Sequence, residues 1–428
     1  MAIDPVRLLA ELKDDRRMFH AHAESGFCEF WTGATIAGRL RETGYELTVG
    51  REMMSAGHRM GVPAPGVLLA RYGRALAEGA DPETLAAMEG GFTAVAGTLR
   101  NGDGPVVAFR FDMDAVDVHE HDGDDHLPRR EGFASMHDEA MHACGHDGHV
   151  AIGLALARLL EANRDAWSGT VKLVFQPAEE GVRGARSIVE SGFIDDADYI
   201  VAGHLGIVPD GAGSFYSGVG GFLSTTKLDL RFDGRAAHAG MDPEKGRNAL
   251  LAAASSALSI AGIPRHSGGA TRVNVGRIEA GSGRNVIPER ALLCIETRGE
   301  TSALNEYMAQ EALRMAEGIG TAYGVSVGVE KMGEAMGAES DPGLMAVAAA
   351  CAREAGYALV SETPLPLGGS EDFSLMMDRV AGRGGKAAYV VFGSTLADAH
   401  HASRFDFDER DMVPAAATLF SMAVRLLS

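Results

Sequence analysis

The sequence predicts an α/β protein into which a smaller α+β domain is inserted. Apolar runs typical of buried parallel strands alternate with helical patterns in the first half of the chain, at residues 106–114, 169–175 and 199–202. From about Gly220 the strand-like segments alternate apolar and polar residues, which is typical of half-exposed strands. After Met336 the first pattern resumes.

The length and this change of pattern predict two domains. A chain of 428 residues exceeds what one hydrophobic core usually serves. We expect a larger, discontinuous α/β domain formed by residues 1–220 and 335–428. Residues 221–334 are expected to form the inserted α+β domain.

The N-terminal part of the larger domain shows helices, an insertion and a loop. Apolar positions recur at helical spacing within residues 5–44, which predicts two helices, and again in residues 150–160. The stretch 50–91 is rich in Gly, Ala and Pro and contains a helical pattern, so we interpret it as an insertion near the entrance to a site. Residues 118–130 are polar and are expected to form a loop with solvated histidines, namely His119, His121 and His126.

The later elements follow from the same reasoning. Strands are predicted at residues 226–232, 271–278, 291–297, 325–329 and 387–392. Helices are predicted at residues 247–261, 304–322, 342–354 and 412–427. A Gly-rich turn at 368–373 precedes the last strand, and a loop carrying two adjacent histidines follows it.

Composition excludes several classes of partner. The net charge of −20 argues against nucleic acid and against an anionic membrane surface. No apolar run approaches the roughly 20 residues that a membrane span needs. The start of the chain shows no uninterrupted apolar signal segment, and the four cysteines lack the spacing of a disulfide framework, so a cytoplasmic protein is expected.

The run from Met141 to His149 contains three histidines, a thiol and a carboxylate within nine positions. Further potential ligands follow later strands, each beyond a strand or at the start of a helix, where distant parts of a chain converge. The predicted metal ligands are Cys144, His146, Glu180, His204 and His401. Five ligands of mixed type exceed the needs of one tetrahedral zinc, which predicts two divalent ions, Zn²⁺ or Mn²⁺.

Two adjacent glutamates follow the second buried strand. Neighbouring side chains point to different sides of the backbone, so Glu179 and Glu180 are not expected to share a role. One of them would bind metal, and the other would move a proton as general base and acid in a hydrolysis.

The inserted domain offers weaker signals. His238 lies among small residues, and Arg298 closes an apolar strand, where a guanidinium would bind a carboxylate in bidentate fashion. Neither residue alone indicates a site.

The chain resembles the metal-dependent amidohydrolases of the M20 peptidase superfamily. The matching motifs occur in the family's order and cover nearly the whole chain: HACGHD at 142–147, PAEEG at 177–181, Gly203-His204, NVIP at 285–288, and His401 before FDFDE at 405–409. Further phrases, including GSGRN at 281–285, resemble the branch that acts on p-aminobenzoyl-glutamate.

This resemblance implies a zinc-peptidase-like catalytic domain and a ferredoxin-like inserted domain that serves as a lid and dimerises. The five ligands would then bind two metal ions, with Glu179 as general base and acid. His238 would steady the oxyanion of the tetrahedral intermediate in the partner's site. Asn285 and Arg298 would hold the substrate, which carries a carboxylate, and Asp112 would orient a ligand histidine.

The predicted reaction is hydrolysis of p-aminobenzoyl-glutamate to p-aminobenzoate and glutamate. Hydrolysis of other N-acyl amino acids, N-acetyl amino acids or dipeptides is the alternative with the same chemistry. A different alternative is a non-catalytic or regulatory subunit of a hetero-oligomer that keeps its metals for structure, or a subunit active only in such an oligomer; Glu179 argues against the non-catalytic form. The dimer is expected to be a homodimer or a heterodimer with a homologous subunit. His400 competes with His401 for the last ligand position, and the spacing to Phe405 favours His401.

Overall fold

A computed structural model describes residues 4–208 and 210–428 and divides into two compact units. The first unit contains residues up to Gly220 together with Ala338–Pro366 and Asp372–Ser428. The second contains Gly221–Gly337 and Leu367–Glu371. The short segment from Leu367 was not expected to join the inserted block.

The elements are numbered through the whole chain. The helices are α1 Pro5–Ala21, α2 Phe30–Glu42, α3 Pro65–Ala77, α4 Pro82–Met88, α5 Leu127–Glu131, α6 His146–Ala162, α7 Ala185–Val189, α8 Ala249–Ala261, α9 Ser302–Tyr323, α10 Pro342–Glu354, α11 Phe373–Gly382 and α12 Met412–Leu426. The strands are β1 Glu46–Val49, β2 Val95–Asn101, β3 Val106–Asp112, β4 Gly169–Gln176, β5 Tyr199–Leu205, β6 Ser214–Tyr216, β7 Val219–Gly220, β8 Ser224–Asp233, β9 Thr271–Ala280, β10 Arg290–Gly299, β11 Ser326–Ala335, β12 Leu359–Ser361, β13 Leu365–Pro366 and β14 Lys386–Phe392.

The first unit is built on an eight-stranded sheet in the order β1-β2-β4-β3-β5-β14-β6-β12. The predicted strands β3, β4, β5 and β14 are confirmed; they run parallel at its centre and are almost entirely buried. Because parallel strands end at the same edge, the residues that follow β3, β4 and β5 are brought together there. Asp4 caps the first helix by accepting the backbone N–H of Val6 at 3.0 Å, and Pro5 occupies the first turn.

Several short elements of this unit were not predicted, among them α4, α7, α11, β6 and β12. The antiparallel strands β1 and β2 extend the sheet beyond β4 and were not foreseen. Part of the polar loop at 118–130 forms the short helix α5. His126 is buried rather than solvated, because its Nε2 lies 2.8 Å from the carboxylate of Glu120.

The second unit is a four-stranded antiparallel sheet in the order β11-β8-β10-β9 with α8 and α9 packed on it. The chain order β-α-β-β-α-β with this strand order is the ferredoxin-like arrangement. In β8 the apolar side chains of Leu228, Leu230 and Phe232 face the core, and the alternating residues are more exposed. This alternation confirms the expected half-buried strands.

Among the described residues, no helix combines the length and the apolar character needed to span a membrane.

Candidate metal centre

The predicted ligands lie at the carboxyl edge of the central parallel strands. Cys144 and His146 stand at the start of α6, where Gly145 adopts a left-handed conformation with φ of 87°. Glu180 is in the loop after β4, and His204 lies near the end of β5. His401 follows β14 and has a φ of 66°, an uncommon conformation for a residue with a side chain.

The structure brings all five side chains together. Cys144 Sγ lies 3.4 Å from His204 Nε2. Cys144, His146 and Glu180 each offer a ligand atom within 4.8 Å of the others. Glu180 Oε1 lies 3.2 Å from His401 Nε2. Cys144, His204 and His400 form a second group of atoms within the same distance, so Cys144 belongs to two neighbouring groups of ligand atoms.

Hydrogen bonds to backbone carbonyl oxygens orient two of the imidazoles so that the other nitrogen of each ring faces the cluster. Nδ1 of His146 donates to the carbonyl oxygen of Asp114 at 2.8 Å, and Nδ1 of His204 donates to that of Leu205 at 2.7 Å. The Nε2 atom of each ring is thereby left as a lone-pair donor. Within the described residues, the buried Nε2 of His146 has no hydrogen-bond partner, as expected of an atom that binds a metal ion.

The two adjacent glutamates are held by a carboxylate that the sequence did not single out. Asp114 accepts the backbone N–H of Glu179 at 3.1 Å and that of Glu180 at 2.9 Å, one with each oxygen. The preceding residue, Ala178, has a φ of 53° and donates its N–H to buried Glu29 at 2.8 Å. This loop is therefore fixed before any ligand binds. The carboxylates after β3 were a signal, but only the fold shows that Asp114 points to this loop.

Asp112 was expected to orient a ligand histidine, and two histidines lie near it. Its Oδ1 lies 2.5 Å from Nδ1 of His149 and 3.9 Å from Nε2 of His146. His149 Nε2 accepts the backbone N–H of Leu205 at 3.0 Å, so this ring has no free lone pair for a metal ion. Asp112 and His149 form a buried hydrogen-bonded pair next to the cluster. The motif around His146 had suggested no role for His149.

Both adjacent histidines of the last loop face the cluster. His400 Nδ1 lies 3.6 Å from Cys144 Sγ, and burial lowers the pKa of His400 to about 4. His401 is half exposed and approaches Glu180, whose carboxylate raises the pKa of the imidazole. The two histidines thus approach different members of the cluster.

The electrostatics of the cluster favour a bound cation. Burial opposes a charge on His146, but Asp112 and Asp114 raise the pKa of its imidazole well above the usual value. Burial raises the pKa of the Cys144 thiol to about 12. A divalent ion would replace the proton on each of these groups, because metal ligands bind deprotonated. The residues therefore fit a metal site.

A buried ion-pair network stabilises the start of α6. Arg16 donates to Asp147 at 2.9 Å and to Asp406 at 2.6 Å, and His20 lies 2.8 Å from Asp147. Burial disfavours the charge on Asp147, but Arg16 and His20 hold the pKa of this carboxyl well below its usual range. Because a buried charge needs partners, the network fixes the helix start that carries the ligands.

The predicted residues of the second unit lie on its loops and on one strand. The loops of His238 and Asn285 pair, with the N–H of Ala239 donating to the carbonyl oxygen of Asn285 at 2.9 Å. His238 itself is exposed. Arg298 is half-buried on β10, and its Nε donates to Glu296 at 2.5 Å. The structure brings His238 and Asn285 together within this unit.

Comparisons with known proteins show the family of the chain. The model of Peptidase family M20/M25/M40 matches residues 108–425. The chain is 47% identical over 420 residues to a p-aminobenzoyl-glutamate hydrolase of Escherichia coli (strain K12), covering 97% of this chain and 96% of that protein. That relative is named as one subunit of its hydrolase. The chain is also 47% identical over 416 residues to indole-3-acetyl-aspartic acid hydrolase of Enterobacter agglomerans, covering 96% and 95%.

A crystal structure of an aminobenzoyl-glutamate utilization protein from Klebsiella pneumoniae shares the fold with a TM-score of 0.85 at 40% identity. The structural match covers 98% of this chain and 97% of the Klebsiella pneumoniae chain. The predicted family and fold class are confirmed. The chain belongs to peptidase family M20/M25/M40 and is a hydrolase of amide bonds.

Proposed function

We propose that the chain hydrolyses an amide that joins an aromatic acid to an acidic amino acid, with p-aminobenzoyl-glutamate as its substrate. The two relatives with 47% identity are named for p-aminobenzoyl-glutamate and for indole-3-acetyl-aspartate. Both names describe an aromatic acid linked to an acidic amino acid through an amide. The class that the two names share is the substrate class proposed here.

The observation that carries this proposal is the position of Cys144 between two groups of ligand atoms. Cys144, His146, Glu180, His204 and His401 would hold two divalent ions, Mn²⁺ or Zn²⁺. When bound, such ions would supply Lewis-acid polarisation of the amide carbonyl and would lower the pKa of a water molecule.

Glu179 carries the proton in this proposal. Asp114 holds the backbone of both glutamates, and Glu180 lies in a group of ligand atoms with Cys144 and His146. We therefore assign metal binding to Glu180 and proton transfer to Glu179. The carboxylate of Glu179 would take a proton from the attacking water and deliver it to the nitrogen of the departing amino acid.

The second unit is proposed to recognise the substrate and to dimerise. Arg298 would bind the carboxylate of the amino acid with its terminal nitrogens, since its Nε is already occupied by Glu296. Asn285 would assist it, and His238 of a partner chain would stabilise the oxyanion. The partner is a homologous subunit or a second copy. A cytoplasmic location belongs to the same proposal, because a reducing compartment keeps the Cys144 thiol available.

The test is an assay of the purified chain against p-aminobenzoyl-glutamate, indole-3-acetyl-aspartate, hippurate and an N-acetyl amino acid, each with added Mn²⁺ or Zn²⁺. We expect the highest kcat/KM for p-aminobenzoyl-glutamate and no activity after chelation. Preference for hippurate or the N-acetyl amino acid would contradict the proposed substrate. Activity that requires a co-expressed homologous subunit would establish the heteromeric alternative.

A further inference from the structure

A cavity of about 620 Å³ lies in the insertion at 50–91, a segment to which neither the site nor the proposed function gives a role. It is formed within the first unit. Six of its lining residues are apolar or aromatic, namely Val62, Pro63, Pro65, Leu68, Leu69 and Tyr72. Arg59, Gly90 and the exposed Glu89 complete the lining. A volume of this size suits a small organic ligand.

Two guanidinium groups lie beside this cavity. Arg59 lines the cavity and stacks on the ring of Phe92 with its Cζ 3.5 Å from the ring centroid; Arg51 stacks on the same ring at 3.9 Å. Arg59 donates one hydrogen bond, to the carbonyl oxygen of Gly90 at 2.7 Å. Among the described residues, neither guanidinium has a carboxylate within ion-pairing distance, and the buried Nε of Arg59 has no hydrogen-bond partner.

The net charge of the chain is −20, and two arginines near the cavity, Arg71 and Arg74, are paired with Glu139. Arg51 and Arg59 have no such ion pair in the described part of the chain. Burial and the neighbouring Arg51 lower the pKa of Arg59 to about 10, so it still carries a positive charge at neutral pH. A fixed guanidinium that lacks an acidic partner in the described part of the chain, next to apolar walls, is complementary to an anion with an apolar body.

The cavity is connected to the loop of the metal centre. Arg183 donates through Nη1 to the carbonyl oxygen of Gly61 at 3.1 Å and through Nε to that of Glu180 at 2.9 Å. Gly61 precedes Val62 in the cavity wall. A ligand in the cavity would therefore touch a segment that is hydrogen-bonded to the loop of a proposed metal ligand.

We propose that this cavity is a second binding site for a small aromatic monocarboxylate, which places its carboxylate on Arg59 and its ring between the apolar walls. The choice of an aromatic acid rests on the proposed function, whose acid product, p-aminobenzoate, belongs to this class. The two positive charges of Arg59 and Arg51, against the single carboxylate of the exposed Glu89, favour an anionic ligand. The apolar walls exclude a strongly hydrated one such as glutamate.

The experiment is a calorimetric titration of the metal-loaded, full-length chain with p-aminobenzoate, and with glutamate as the negative probe. We expect an Arg59-dependent binding event for p-aminobenzoate only. Arg59→Gln should weaken this event at least about tenfold, the value of one charge-assisted hydrogen bond. Leu69→Asp, which places a negative charge on a wall residue that is 73% exposed, should weaken it as well.

The matched control is Leu76→Asp. Leu76 is 46% exposed on the same helix α3 but does not line the cavity, so this variant should bind p-aminobenzoate like the wild type. Unchanged affinity and stoichiometry in both Arg59→Gln and Leu69→Asp would overturn the second site. The same conclusion follows if the wild type shows no p-aminobenzoate binding at millimolar concentration.

The titration and the cleavage assay together distinguish failure of the second site from failure of the proposed function. An Arg59-dependent event in a protein that does not cleave p-aminobenzoyl-glutamate would overturn the function and leave the site in place. Normal cleavage with no Arg59-dependent event would overturn the site alone.

Discussion

The Sγ atom of Cys144 lies 3.4 Å from Nε2 of His204. Two ligands of one tetrahedral zinc ion, at the usual Zn–S and Zn–N bond lengths, stand roughly 3.5 Å apart. The two atoms are thus already separated as ligands of a shared ion would be, and backbone contacts hold the ring of His204 in place. The site is pre-organised for metal before the metal binds.

Loss of the Cys144 thiol should therefore reduce metal binding. Cys144→Ala removes the atom that belongs to both groups of ligands, so we expect metal content to fall by at least one equivalent per chain and activity to be lost. Elemental analysis of the dialysed protein measures this. Cys294→Ala, a half-buried cysteine of the second unit, is the control and should keep full metal content.

The two adjacent histidines can be distinguished by separate variants. His401→Ala should lose metal, because His401 Nε2 lies 3.2 Å from Glu180 Oε1. His400→Ala should keep most of its metal, because the assignment gives His400 no ligand role. Metal content of the two proteins decides the question. The reverse pattern would show that His400 is the ligand.

Asp114→Asn should impair catalysis without preventing substrate binding. Asp114 accepts two backbone N–H groups of the loop with Glu179, and an amide would turn one acceptor into a donor facing an N–H. An unsatisfied buried group costs about 1–3 kcal/mol, which corresponds to roughly 5–150-fold. We expect a drop of this size in kcat with little change in KM. Asp117→Asn changes an exposed neighbouring carboxylate and is the control. An equal loss of kcat in both variants would refute the proposed role of Asp114 in holding the glutamate loop.

The contribution of His20 to stability should depend on pH. Burial disfavours its charge, but hydrogen bonds to Asp147 and Glu120 raise the pKa of His20 to about 9. Because the folded pKa exceeds the usual 6.5, the stabilisation is complete below pH 6.5 and is lost as pH rises through 9. The full contribution of the His20 charge to the free energy of unfolding is on the order of 3 kcal/mol.

Urea unfolding of the wild type and of His20→Gln at about pH 6 and about pH 9.5 measures this contribution. The difference in free energy of unfolding should be larger at the lower pH. An equal difference at both pH values would show that His20 is neutral in the folded protein.

Much of this site could be predicted because its ligands follow strongly apolar strands. The runs that became β3, β4 and β5 bury nearly every residue, so their pattern identifies both the strands and the edge at which they end. Residues that follow parallel strands must meet there. The predicted ligands therefore converge although they are up to 257 positions apart, from Cys144 to His401.

The supporting residues could not be predicted in the same way. Asp112 and Asp114 stand two positions apart, and the sequence does not say which of them reaches a ligand histidine and which reaches the glutamate loop. The sequence assigned no role to His149, and only its contacts with Asp112 and Leu205 show that it supports the cluster. Such assignments depend on where each side chain points in the folded protein, and local sequence patterns do not determine this.

The most direct test of the account is turnover of p-aminobenzoyl-glutamate by metal-loaded Glu179→Ala, measured together with its metal content. In the proposed reaction Glu179 carries the proton and is not assigned as a metal ligand. The account predicts wild-type metal content and a loss of kcat of at least about a hundredfold. Turnover at the wild-type rate in a fully metal-loaded variant would contradict it.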